Sequence, residues 1–103
     1  MTNTEIKKFY EHQVEWYANE IVWDSKQIAY YTEQLARSRK EDREFVEWIQ
    51  QNPNYTDEEK ARYKGYASKE TKEYIAYRNK YYANRRKDTK TLAKYKKELA
   101  NLH

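Results

Sequence analysis

Asp24, Asp42 and Asp88 interrupt stripes of otherwise apolar residues, and paired carboxylates in such a setting are the groups that give and take protons in general acid/base catalysis. Spacing argues for another role. In an antiparallel hairpin folded about Pro53, Asp24 and Asp88 lie about six residues out of register, roughly 9 Å along the axis, with no acid/base partner between them. The three acids therefore read as register devices, each satisfied by a base or a tyrosine across the hairpin. Asp24 is expected to form a structural ion pair with Arg78 or Arg85, and Asp42 to lie near Lys64. His12, flanked by Glu11 and Glu15, has the look of a metal ligand. Carboxylate-bridged bundles, however, need Glu-x-x-His on two helices plus two further glutamates, and the chain's histidines are His12 and His103 alone. That cluster reads as a solvated polar face. Gly65 is the one glycine, which excludes a glycine-rich phosphate loop, and the absence of cysteine excludes disulfides and thiolate chemistry. No catalytic residue, metal site or cofactor is expected.

Two surfaces carry binding chemistry instead. The stretch from Tyr74 to Lys87 interleaves tyrosines with bases, a pattern suited to stacking on nucleobases while neutralising phosphates. Its cations, Arg78, Lys80, Arg85, Arg86 and Lys87, continue into Lys90 and Lys94. The plainer reading puts Tyr74, Tyr77 and Tyr81 in the hairpin core and pairs Tyr81 with Arg85 and Tyr82 with Arg86 across one helical turn. Asn79, Ala83, Arg86 and Lys87 also resemble a fragment of a basic-leucine-zipper basic region, but Leu92 and Leu99 supply less than the three or four heptads a zipper needs, roughly. The second surface is the stripe Phe9, Trp16, Trp23 and Tyr30, one residue in every seven. Large aromatics on an open helix face are the usual anchors of protein interfaces, so these four are the expected protein-binding residues.

The elements that hold these residues are long helices. Tyr10, Val14, Tyr17, Ile21, Asp24, Ile28, Tyr31, Leu35, Ser38, Asp42, Phe45 and Ile49 alternate in steps of three and four, which draws one seam along an α-helix. The aromatic stripe lies about a quarter to a third of a turn from that seam, beyond what one partner helix covers. Thr2 with Glu5 forms a capping-box pattern that opens helix 1 at about residue 3, and Asn52-Pro53 closes it at about residue 50. Thr56 with Glu59 is a second such pattern, opening a helix 2 that runs from about 57 to about 101. Its buried candidates are Ala67, Tyr74, Tyr77, Tyr81, Leu92, Tyr95, Leu99 and Leu102. The soft spots are Ser38 to Asp42, where the seam turns polar, and Gly65, where Ser68 stands ready to cap a restarted helix. A short turn at 51–56 forces the helices antiparallel. Folded about Pro53, Leu35 meets Thr71, Tyr31 meets Tyr74, Ile21 meets Arg85, Val14 meets Leu92, Tyr10 meets Tyr95 and Ile6 meets Leu99.

Composition agrees with this architecture. The 103 residues are 38% apolar and 37% charged, with one Gly and one Pro, which suits long helices around a narrow core in a single all-α domain. Aromatics at 17% supply the burial that disordered chains lack. Net charge is +4, unevenly placed: residues 1 to 35 carry three lysines against six acids, whereas residues 78 to 97 carry nine Lys/Arg against Asp88 alone. Antiparallel folding neutralises part of that contrast and leaves an excess of positive charge. With no apolar run at the N-terminus, neither signal peptide nor transmembrane helix is expected, and the expected location is cytoplasmic, with no membrane partner.

In general style, a small, cysteine-free, Tyr- and Lys-rich helical chain looks like the accessory proteins of bacterial phages and mobile elements, including inhibitors of host defence. That likeness rests on no motif and names no family. The expectation is a non-enzymatic helical hairpin, kinked at Ser38 or Gly65, that acts by protein–protein binding as a homodimer, on a heterologous protein, or both. Sequence-nonspecific nucleic-acid binding through the basic stripe is the alternative.

Overall fold

The computed structural model describes residues 2–102. Three α-helices follow one another: α1 (Asn3–Gln51), α2 (Asp57–Arg62) and α3 (Lys69–Ala100). The fold is all-α, with α3 returning antiparallel to α1. The described residues group into two compact units, 2–29 with 79–102, and Tyr30–Arg78.

No glycine or proline lies within α1, and it runs unbroken through Ser38–Asp42. Its start is capped as the sequence implies, the Glu5 amide donating to Thr2 Oγ1 at 3.2 Å. It stops at Asn52-Pro53. There the Asn54 amide donates to Asn52 Oδ1 at 3.0 Å and the Tyr55 amide to the Asn52 carbonyl at 3.3 Å, closing a tight turn. Thr56 and Glu59 form the expected reciprocal capping box at the head of α2.

The expected second helix is two helices. α2 ends at Arg62, Gly65 takes a left-handed φ of 73°, and α3 begins only at Lys69. That conformation costs a residue with a Cβ about 1–2 kcal/mol and costs glycine nothing. Ser68 restarts the helix, accepting the Thr71 amide on its Oγ at 3.2 Å. The break moves the register. A turn centred on Pro53 places Thr71 opposite Leu35, but Thr71 instead bonds to Ser38 and Asp42, about one and two turns further along α1.

In the first unit the interior is a line of half-buried Tyr10, Tyr17 and Tyr95 rings, with centroids of Tyr17 and Tyr95 at 5.8 Å and of Tyr10 and Tyr95 at 6.0 Å. Ile28 and Asp24 are buried at its other end. In the second unit Leu35 and Ile49 are fully buried, and Tyr31 stacks on Tyr77 and tilts against Tyr74. Phe45, a seam residue, stays 40% exposed because its neighbours are Tyr63 and Tyr66 of the irregular segment rather than a facing helix. Tyr77, expected inside, is 45% exposed, and the buried residue of α3 is Thr71.

Candidate functional site

In the first unit the seam residues of α1 turn toward α3, which leaves the heptad line beside them in solvent. In the first unit Phe9 is 46%, Trp16 55% and Trp23 54% exposed, with Val22 at 53% next to them. Phe9 leans its ring edge on Tyr10 and Tyr95. Trp16 and Trp23 have no ring partner among the described residues. Tyr30, in the second unit, is also half exposed and meets Tyr31 edge-on at 5.1 Å. The second unit bares Trp48 as well, its ring edge-on to Tyr55 at 6.0 Å. Trp48 escaped the sequence reading because it falls outside the heptad line. The signal was its place beside Ile49, which takes the core position and turns its neighbour outward.

The basic residues divide by burial. Lys80, Arg86, Lys87, Lys90 and Lys94 of the first unit are exposed, and none belongs to an ion pair among the described residues, where all five pairs lie elsewhere. Arg85 is half-buried, donating to Ser25 Oγ at 3.5 Å and lying over the Tyr82 ring at 5.2 Å. Tyr82 thus carries Arg85, three residues on, in place of the expected Arg86. Lys80 and Lys94 lie over the rings of their sequence neighbours Tyr81 and Tyr95. Arg78 belongs to the second unit, where its Nε is buried without a hydrogen-bond acceptor.

The structural ion pair expected at Asp24 does not form among the described residues. Asp24 is 3% exposed and its carboxyl meets that of Asp88, while Arg85 contributes charge from a distance. Burial, the hydrogen bond to Asp88 and the charges of Asp88 and Glu20 push the Asp24 carboxyl up to about 7, against a smaller opposing pull from Arg85. One Asp24 oxygen has no hydrogen-bond partner. The shifted register brings together the two acids that a turn at Pro53 would separate, and a carboxyl pair is stable only while it retains a proton.

Asp42 is in the opposite condition. Thr71 Oγ1 donates to its Oδ2 at 2.6 Å, the Ser68 amide at 3.1 Å and Ser68 Oγ at 3.3 Å, while Ser38 completes the cluster through Thr71. Burial alone would raise this carboxyl, but the hydrogen bonds from Thr71 and Ser68 outweigh it and hold Asp42 below its ordinary value. Lys64, its expected neighbour, is replaced by the α3 cap. Beside this cluster a cavity of about 540 Å³ opens between Arg39, Arg43, Val46, Tyr66 and Ile75. His12 is exposed, and among the described residues no three His, Cys, Asp or Glu side chains are placed to hold a metal ion. No helix among them is long and apolar enough to cross a membrane.

Compared with protein-family models, with characterised proteins and with solved structures, this chain finds no match.

Proposed function

We propose that this chain is a non-enzymatic binding protein that uses the aromatic face of its first unit, Phe9, Trp16 and Trp23, to hold another protein surface. One observation carries the reading: both tryptophans stand more than half exposed on the same helix line. Leaving each in water forgoes roughly 1.5–3 kcal/mol of burial, and exposed clusters of this kind are characteristic of interfaces. The general style shared with accessory proteins of phages and mobile elements fits a role as an inhibitor of a host defence or nucleic-acid-handling protein in the cytoplasm. The Trp16→Ala, Trp23→Ala double variant tests the reading. It should keep its helical circular-dichroism signal and melting temperature while losing association. An unfolded variant would show that the strip is core.

A second reading is favoured by the five exposed cations that no acid neutralises among the described residues. Sequence-nonspecific binding of nucleic acid through Lys80, Arg86, Lys87, Lys90 and Lys94 would be recognised by a steep loss of affinity with salt.

A further inference from the structure

Arg39, Asp42, Arg43, Val46 and Glu47 follow one another in steps of three and four along α1, so they share one helix face. All five line the cavity of about 540 Å³ in the second unit, together with Tyr66, Ala67 and Ile75. Its charged groups do not satisfy one another. Helix α1 closes ion pairs of four-residue spacing at Lys7–Glu11, Glu33–Arg37 and Lys40–Glu44, yet Arg43 and Glu47, at that same spacing, stay unpaired among the described residues, as does Arg39. Asp42, 9% exposed, receives its hydrogen bonds from Thr71 and Ser68 on Oδ2. Among the described residues the sealed side-chain atoms without a partner belong to Asp24 and Arg78, so Asp42 Oδ1 is not sealed and opens on the cavity that Asp42 lines. Hydroxyls and an amide, rather than a cation, hold this carboxyl ionised. Oδ1 is therefore a charged acceptor in a nearly buried position, still without a donor.

We propose that this cavity binds a free zwitterionic α-amino acid with an apolar side chain. Its ammonium donates to Asp42 Oδ1, its carboxylate is held by Arg39 and Arg43, and its side chain sits against Val46, Ala67, Ile75 and the Tyr66 ring. Charge rejects the simpler ligands. An amine without a carboxylate meets two guanidiniums at the cavity, and a carboxylate without an amine meets Asp42 and Glu47. Two cations beside two anions make a site of zero net charge with a strong polar pattern, and a zwitterion complements both halves of it. Arginine suits the carboxylate half, since its planar N–H groups bind the two oxygens together. Size agrees as well, because small-molecule sites occupy about 300–1,000 Å³ and combine apolar walls with a few placed polar groups. The Tyr66 ring is held ready by Phe45 and Tyr63, at 5.3 and 5.8 Å between centroids. This site belongs to the second unit and does not depend on the aromatic strip of the first.

Titration of ¹⁵N-labelled protein with L-phenylalanine or L-leucine should shift the amide signals of Val46, Tyr66 and Ile75 along a saturable curve, with a dissociation constant of about 1 mM or below. Phenethylamine lacks the carboxylate, N-acetyl-L-phenylalanine lacks the ammonium and glycine lacks the side chain. Each should bind at least about 10-fold more weakly than L-phenylalanine. The double variant Arg39→Ala, Arg43→Ala should lose affinity by about 10-fold or more. Its melting temperature should not change, since both side chains are exposed and unpaired among the described residues. Equal affinity for phenethylamine or for N-acetyl-L-phenylalanine would overturn the zwitterion, as would undiminished binding by the double variant. No shift with either amino acid at about 10 mM, or shifts confined to residues away from the cavity, would overturn the site itself.

Discussion

The carboxyl of Asp24 on α1 is hydrogen-bonded to the carboxyl of Asp88 on α3, in a site where Asp24 is almost fully buried. Two carboxylates cannot both ionise there without repulsion, so the contact is held by a proton. Asp24 has a folded-state pKa of about 7 against an ordinary 3.8, so between those values the folded chain binds more protons than the unfolded chain. Stability therefore falls as pH rises through that window, by up to about 1.4 kcal/mol for each pH unit. Asp24→Asn keeps a hydrogen bond to Asp88 and removes the second charge. At pH 8 it should melt higher than wild type, and at pH 4 it should lose that advantage. Thermal melts at the two pH values measure this, and a variant less stable at both would return Asp24 to the role of an ion-paired acid.

Asp42 predicts the reverse slope. Its carboxyl is held below its ordinary value by Thr71 and Ser68, so its contribution is present above the unfolded pKa and is lost as pH falls through the depressed folded one. Thr71→Val removes the shortest of its hydrogen bonds and strands Ser38. It should cost about 1–3 kcal/mol at pH 7 and less in acid, where Asp42 is protonated. Urea titrations at pH 7 and pH 3 read the difference.

Gly65 stands at a left-handed φ of 73°, and a Cβ there meets nothing within 4 Å. The cost of Gly65→Ala is therefore conformational alone, about 1–2 kcal/mol. Gly65→Asn should recover part of it, since asparagine visits that region more readily. Equal melting temperatures for wild type and Gly65→Ala would mean that the segment between α2 and α3 has rearranged into a continuous helix.

These three sites show what the sequence could and could not convey. Helix starts were legible because capping is local: Thr2, Thr56 and Ser68 each accept the amide three residues ahead. The seam of α1 was legible because its period is that of the helix. Register was not, since it depends on how many residues the break at Gly65 consumes, and nothing local fixes that number. Tyr31 with Tyr74 and Tyr10 with Tyr95 touch as a turn at Pro53 implies, because tyrosine rings reach far enough to tolerate a shift. Short polar groups do not, so Asp24 and Asp42 found Asp88 and Thr71 in place of the cations expected for them. Trp16 and Trp23 were legible for the same reason as the seam, their line being fixed by α1 alone, whereas Trp48 lies off that line.

The exposed cations of α3 yield the last prediction. Arg86, Lys90 and Lys94 recur every four residues, and Lys80, Lys87 and Lys94 every seven, so one broad face carries all five. No ion pair among the described residues restrains them. Such a face should bind a polyanion through released counterions, with log affinity falling linearly in log salt. Wild-type protein should therefore be retained on heparin to a higher salt concentration than Arg86→Glu, Lys90→Glu, Lys94→Glu, with both proteins giving the same helical signal because the substituted side chains are exposed. Titration of a random-sequence DNA duplex at two salt concentrations then separates the two readings. A steep salt dependence lost in the triple variant assigns nucleic acid to this face. No binding at low salt, together with intact heparin retention, assigns the face to an acidic protein surface.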